Sequence, residues 1–230
     1  AIASDCTRMI APCQAISRAM QRNGLSKEKI TILPHGIPLP KEVPDFPPVI
    51  NGKIKFFYVG RICYVKGLHI LLEAFSQLDN ENAELHLIGG VGNKSERRYE
   101  HSLKRRYAAD KRVVWHGKVP PEKVFDMIRS YHVSSSSSSS YLEAFGLNIA
   151  ESLAMGKPVL ATRCGGAEMQ IDDGVNGWLV EPNNVDALAE KMQEISDSFT
   201  NYSTHLSTER VISIEEHCKS LIKLYETTAY

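Results

Sequence analysis

The sequence carries no net charge: 27 lysines and arginines stand against 27 aspartates and glutamates. That balance excludes the broad basic field that holds nucleic acid, so any anion site has to be built locally. Cysteine is also scarce. Cys6, Cys13, Cys63, Cys164 and Cys218 lie far apart, and an odd number without close pairs argues against a disulfide framework or a zinc site. They read as reduced thiols of a cytoplasmic protein. No apolar run approaches the roughly 20 residues that cross a bilayer, and no charged-then-apolar leader opens the chain. It starts at Ala1 rather than Met, and is expected to be an excised piece of something longer. What remains is ordinary globular material, 43% hydrophobic and 23% charged over 230 residues, enough to bury a core.

From residue 53 onward, short apolar runs alternate with helical spacing. Lys53 to Val59 reads as a buried strand closed by Gly60. Apolar residues at 68, 71, 72 and 75 mark one face of a helix over 67–78. A second strand over 84–88 ends at Gly89-Gly90, a charged amphipathic helix covers 95–109, and a third strand over 112–115 ends at His116-Gly117. A helix over 120–129 has proline near its start, where proline is tolerated. Further on, the spacing predicts a helix over 146–155 stopped by Gly156, a strand over 157–162, a short strand over 177–180, and a helix over 185–195 capped by Asn183 or Asn184. Strands and helices alternating at this spacing imply parallel βαβ units in a doubly wound α/β sheet. Ligands in such sheets sit at the carboxyl ends of the strands.

Flanking this core, residues 1–40 suggest a strand over 7–11, a helix over 14–23 and a strand over 29–33. Prolines 34, 38, 40, 44, 47 and 48 then crowd one stretch, so 41–52 reads as a stiff linker. Residues 197–210 read as a loop and 213–226 as a helix. The seven serines at 134–140 leave two readings open: a flexible low-complexity loop, or a buried strand whose small side chains let helices or a ligand come close.

Four features suit a nucleoside diphosphate. Gly60-Arg61 and Lys66-Gly67 put two cations around a turn that opens a helix. In Glu143-Ala-Phe-Gly-Leu-Asn-Ile-Ala-Glu151, two carboxylates straddle a loop-to-helix junction. If that helix starts near Gly146, its free N–H groups favour an anion. Glu151, about 7 Å along the axis, can accept both hydroxyls of a ribose, and its apolar neighbours leave it in want of a partner. Arg163-Cys-Gly-Gly-Ala-Glu168 exposes backbone directly after a strand. Gly89-Gly90 and His116-Gly117 leave room for a flat base, with His116 read as structural.

In order and spacing over residues 54–195, these motifs resemble the C-terminal domain of the GT-B retaining glycosyltransferases of family 4. The matching series is Gly60-Arg61-x4-Lys66-Gly67, Gly89-Gly90, Gly117-Lys118-Val119, Ser140-Tyr-Leu-Glu143-Ala-Phe-Gly-Leu, Glu151, Met155-Gly156-Lys-Pro-Val, Gly165-Gly166-Ala-Glu168 and Gly174-Val-Asn-Gly177. Two positions depart from the family pattern: Ser139 stands where proline is common, and His35-Gly36-Ile37-Pro38 replaces an Asn-Gly-Ile-Asp type junction.

The resemblance implies a Rossmann-like doubly wound parallel sheet, the C-terminal half of a GT-B fold. It implies an enzyme that needs no metal or other cofactor and takes a UDP- or GDP-sugar as substrate. Arg61, Lys66 and Glu143 would be the catalytic residues, the first two on the diphosphate and Glu143 on the transferred sugar. Gly60, Gly90, Lys118, Val119, Phe145, Gly146, Leu147 and Glu151 would bind the donor. Residues 53–200 would form the nucleotide-sugar-binding domain, 1–40 a remnant of the N-terminal acceptor domain, and 201–230 a loop and C-terminal helix. The acceptor would be a sugar, lipid-linked sugar or other glycan. The missing N-terminal domain would be both a partner and the route to any peripheral membrane association, and transfer by this chain alone is expected to be incomplete. Two alternatives stand beside this reading: a GT-B-fold sugar-nucleotide epimerase, which needs carboxylates and histidines from both domains, and a non-catalytic nucleotide-sugar-binding module.

Overall fold

The structure is a computed structural model and describes residues 6–139, 143–199 and 210–228. Ser140, at the end of the serine run, and residues 200–209 of the expected loop lie outside them. The main body is a six-stranded, wholly parallel sheet. Its strands are β3 (Lys55–Val59), β4 (Glu84–Ile88), β5 (Val113–Gly117), β6 (Val133–Ser136), β7 (Val159–Thr162) and β8 (Gly177–Val180), in the order β5-β4-β3-β6-β7-β8. A small parallel pair, β1 (Met9–Ala11) and β2 (Ile30–Ile32), joined by α1 (Gln14–Arg22), sits beside it.

Both faces of the large sheet are covered, which is why its strands read as continuous apolar runs. On one face Phe56, Tyr58, Leu85, Leu87 and Val133 pack with Leu71 and Phe75 of α2 (Leu68–Ser76), Leu103 of α3 (Lys94–Arg106) and Met192 of α7 (Val185–Ser198). On the other, Phe57 and Ile88 pack with Ile128 of α4 (Val124–Ile128), Tyr131 and Met155. Loss of a ring such as Phe56 from this core would cost about 3–5 kcal/mol.

The early part of the serine run, Ser134 to Ser136, resolves as the strand reading, and Ser137 and Ser138 continue beyond the strand's end. Ser134, Ser135, Ser136, Ser137 and Ser138 are all buried, and β6 lies at the centre of the sheet between β3 and β7. The helix α5 (Leu147–Ala154) packs over it through a hydrogen bond from Ser152 Oγ to Ser134 Oγ at 2.9 Å. Three local expectations shift. The turn after Pro120 is 3-10 helix over Pro121–Lys123, leaving α4 only five residues. A four-residue helix, α6 (Ala167–Gln170), follows the double glycine where a plain loop was read. And α7 runs on to Ser198, past the expected start of the loop at Asp197; Asn184 caps it by accepting from Ala187 N–H at 2.9 Å. The C-terminal helix α8 (Ile214–Thr228) is anchored by Ile37 N–H to Ile212 O and Ile214 N–H to Ile37 O, both 3.0 Å.

The proline-rich stretch crosses the amino ends of the central strands. Phe46 lies against the rings of His132 and Phe199 and under the ammonium of Lys157, 4.6 Å from its ring centre. His132 is buried, and its Nδ1 accepts from Lys55 N–H at 2.8 Å, so the ring sits neutral with its proton on Nε2. Burial, reinforced by the nearby Lys157 cation, holds its pKa down at about 4. An unfolded histidine takes up its proton near pH 6.5. Between those two values the unfolded chain binds more protons, so stability falls as pH drops from 6.5 to 4. His132 is expected to contribute on the order of 3 kcal/mol to that loss. Urea unfolding of the protein and of His132→Gln across this range reads it directly: the variant should show the flatter profile, and equally steep profiles would exclude His132 as the cause.

Candidate active site at the switch point of the sheet

The strand order reverses between β3 and β6: β4 and β5 lie on one side, β7 and β8 on the other. The helix after β3 covers one face and the helix after β6 the other, so the chain parts at the carboxyl ends of these two strands and leaves a crevice. How closely the walls approach depends on two small residues. Gly67 sits at φ +66, with room for a Cβ only 1.8 Å from Ser137 O. Ser137 Oγ in turn donates to the carbonyls of Lys66 (3.2 Å) and Gly67 (3.0 Å). That contact seats the turn after β3 on the end of β6 and delivers Lys66 to the crevice.

There Lys66 is ion-paired with Glu143 across the switch point. Ser138 Oγ donates to the same carboxylate at 2.9 Å. Beyond Glu143 the backbone turns through Phe145 and Gly146 into α5. Leu147 and Asn148 N–H have no acceptor among the described residues, whereas Ile149 N–H bonds Gly146 O at 2.9 Å. Open N–H groups at a helix start carry the positive end of its dipole. Glu151, one turn in, is half-buried; burial pushes its carboxyl above the usual range, and no donor meets it among the described residues. Gly60, Lys66, Glu143, Phe145, Gly146, Leu147 and Glu151 line one cavity of about 370 Å³, together with His35.

A second cavity of about 340 Å³ adjoins it through Val59 and Gly60 and is lined by Arg61, Gly90, Lys118 and Val119. Its rim is laced by Gly60 N–H to Ile88 O (3.0 Å), Ile62 N–H to Gly90 O (2.9 Å) and Gly89 N–H to Gly117 O (2.8 Å). The residues expected to be catalytic or donor-binding thus line two joined cavities, whereas Arg163, Gly165 and Glu168 line a separate one. His116 falls outside them, in a stack with His86 (3.0 Å between ring nitrogens) and Tyr131. Among the described residues no helix is long and apolar enough to cross a membrane, and no three His, Cys, Asp or Glu side chains group as a metal site.

Sequence reasoning missed three contributors. Glu96 is buried; it accepts from Gly92 N–H at 2.7 Å and lies 3.6 Å from Arg61 Nε, so it shapes the loop and braces the arginine together. The signal was present, since Asn93-x-x-Glu96 has capping-box spacing, and Asn93 does cap α3 by accepting from Glu96 N–H at 3.0 Å. His35 meets the Phe145 ring edge-on at 5.4 Å, and Ser138 orients Glu143. Neither has a local signature.

A parallel sheet of this order, with a cleft at its switch point, is a doubly wound α/β domain. More particularly, the chain belongs to the glycosyl transferases group 1 family, whose sequence pattern matches residues 41–206. It is 29% identical over 208 residues to a D-inositol 3-phosphate glycosyltransferase of Arthrobacter sp. (strain FB24), covering 85% of this chain and 49% of that protein. A sucrose synthase of Acidithiobacillus caldus is 30% identical over 156 residues, 61% of this chain and 19% of its own length. The chain therefore spans about half or less of these relatives. Among solved structures, the Anabaena protein HepE in complex with UDP and glucose superposes with a TM-score of 0.83 at 21% identity, covering 96% of this chain and 64% of HepE. A sucrose-phosphate synthase from Thermosynechococcus elongatus gives 0.79 at 25%, over 95% and 57%. The fold is the Rossmann-like half of the GT-B glycosyltransferases.

The Gly67–Ser137 contact is testable on its own. Gly67 and Gly52 share a left-handed φ (+66 and +70), but a Cβ at Gly52 meets nothing within 4 Å. Gly52→Ala should cost about 1 kcal/mol from backbone strain alone. Gly67→Ala should cost roughly 3 kcal/mol or more, because Ser137 has to move as well. Equal unfolding midpoints for the two variants would show that the contact is not tight.

Proposed function

We propose that this chain is the donor-binding half of a retaining glycosyltransferase that uses a nucleotide-diphosphate sugar. The carrying observation is that one cleft joins an ion-paired lysine, the N-terminus of α5 and a half-buried carboxylate, the last two without a hydrogen-bond partner among the described residues. Family membership supports the reaction class, and the UDP held by the structural neighbour HepE supports a nucleotide donor.

In this reading the diphosphate enters between Lys66 and the N–H groups of Leu147 and Asn148, with Arg61 closing over it from the second cavity. Lys66 is then shared between Glu143 and a phosphate. Glu151 accepts the ribose hydroxyls, and Gly90, Lys118 and Val119 line the place of the base. Glu143 faces the transferred sugar, with the backbone of Phe145 and Gly146 beside it. As the bond from the sugar's anomeric carbon to the diphosphate breaks, negative charge grows on the leaving oxygens. Lys66, Arg61 and the helix start stabilise that charge without a metal ion. The acceptor oxygen bonds the same carbon from the same face and gives its proton to the leaving phosphate, so configuration is retained. The acceptor is a sugar, lipid-linked sugar or other glycan. We assign residues 53–200 as the donor domain, 1–40 as the end of an acceptor domain, 41–52 as the link and 201–230 as a loop and closing helix, with the working protein in the cytoplasm.

Calorimetry with UDP-, GDP- and ADP-sugars tests the donor reading. One base class should bind. Lys66→Ala should weaken it roughly 10- to 100-fold, the range of a charge-assisted bond to phosphate, and Glu151→Gln should weaken it several-fold. Binding of none of the three, or binding indifferent to Lys66→Ala, would overturn the assignment.

A further inference from the structure

A cavity of about 690 Å³, larger than either part of the donor cleft, lies apart from it. It lies between α1 and the loop that joins β7 to α6, and is lined by Arg18, Arg22, Arg163, Gly165 and Glu168 over a floor that includes Ala15, Ile16 and Ala19. We propose that it is a subsite for the phosphate of an acceptor that also carries free hydroxyls, such as a sugar or polyol phosphate. The proposal rests on the glycosyltransferase reading above and gives its acceptor a chemical class.

Charge is the first argument. Arg18 and Arg22 are exposed, stand one helical turn apart, and have no acidic partner among the described residues. Like charges at this spacing repel, and a phosphate with several acceptor oxygens relieves both at once. Arg163 is differently placed. It already pairs with Asp173 at 3.2 Å and Glu181 at 3.3 Å, which hold its guanidinium at the mouth of the cavity. Glu168 is the one carboxylate among the described lining residues, and it forms no ion pair with any of these arginines. A carboxylate left in this way accepts hydroxyls, so the lining as a whole suits a ligand with both groups. The small floor residues leave space, and the volume lies within the range of small-molecule sites.

Position is the second argument. Gly165 packs so tightly on the donor-site loop that a Cβ there would fall 1.4 Å from Glu143 O. The cavity therefore abuts the backbone of the residue proposed to face the transferred sugar. It also sits at the carboxyl end of β7, where ligands of such sheets collect. Its other wall is α1, from the segment assigned to the acceptor half. Part of the acceptor's recognition is thus present in this chain.

The test is calorimetry on the full chain saturated with the nucleotide that it binds, using glucose 6-phosphate, inorganic phosphate and glucose as probes. Vesicles of phosphatidylcholine with and without phosphatidylinositol form a separate arm. The two phosphate probes should bind and glucose should bind at least ten-fold more weakly. The Arg18→Ala/Arg22→Ala double variant should lower phosphate binding at least ten-fold, leaving thermal melting and nucleotide binding unchanged, and the Arg18→Lys/Arg22→Lys pair should restore part of it. Arginine-dependent binding to phosphatidylinositol vesicles in place of the soluble probes would put the same phosphate on a lipid. No phosphate binding in either arm, binding indifferent to the arginines, or binding that nucleotide displaces would overturn the subsite. If no nucleotide binds but the arginine-dependent phosphate site is present, the donor reading and with it the acceptor role are overturned, while the phosphate site itself stands.

Discussion

The site depends on how closely β3 and β6 can bring their outgoing turns together. A parallel sheet whose order reverses at one point always opens a crevice there, but not always a usable one. Here Gly67 and Ser137 meet with no room for a methyl group between them, and only this places Lys66 opposite Glu143. The serine run therefore has a physical purpose. Larger side chains in its place would hold off the Lys66-Gly67 turn at Ser137 and α5 at Ser134, which Ser152 bonds.

Charge in the crevice is arranged to suit an anion. Lys66 is held by Glu143, Arg61 by Glu96, and the helix start by nothing among the described residues. A protein with no net charge can still build a strong local anion site in this way, because the cations are fixed by neighbours rather than summed over a surface. Glu151, without a donor among the described residues, runs against this positive character, as the proposed place for hydroxyls would.

Most of this was legible in the sequence. Apolar runs ended by glycine located β3 and β4, because a strand buried on both faces admits little else. Motif order located both cavities, because glycines and cations at successive strand ends converge once the strands are parallel. What stayed hidden had tertiary causes. Local propensity divides between loop and strand for polyserine, and only burial decides it. The helix α6 is too short for a periodic signal; Gln170 Nε2 ties it down by donating to Phe145 O. The brace from Glu96 to Arg61 joins two βα loops that are 35 positions apart in sequence. Arg18 and Arg22 read as an ordinary solvated face until the fold sets them across a cavity from Arg163.

The central claim is that the switch point between β3 and β6 is a diphosphate site. A crystal structure of the chain with the nucleoside diphosphate that it binds best tests this most directly. The account predicts phosphate oxygens within hydrogen-bond distance of Lys66 Nζ and of the Leu147 and Asn148 N–H groups, with the ribose hydroxyls on Glu151. A diphosphate seated elsewhere, with the Lys66–Glu143 pair undisturbed and Glu151 still without a partner, would contradict it.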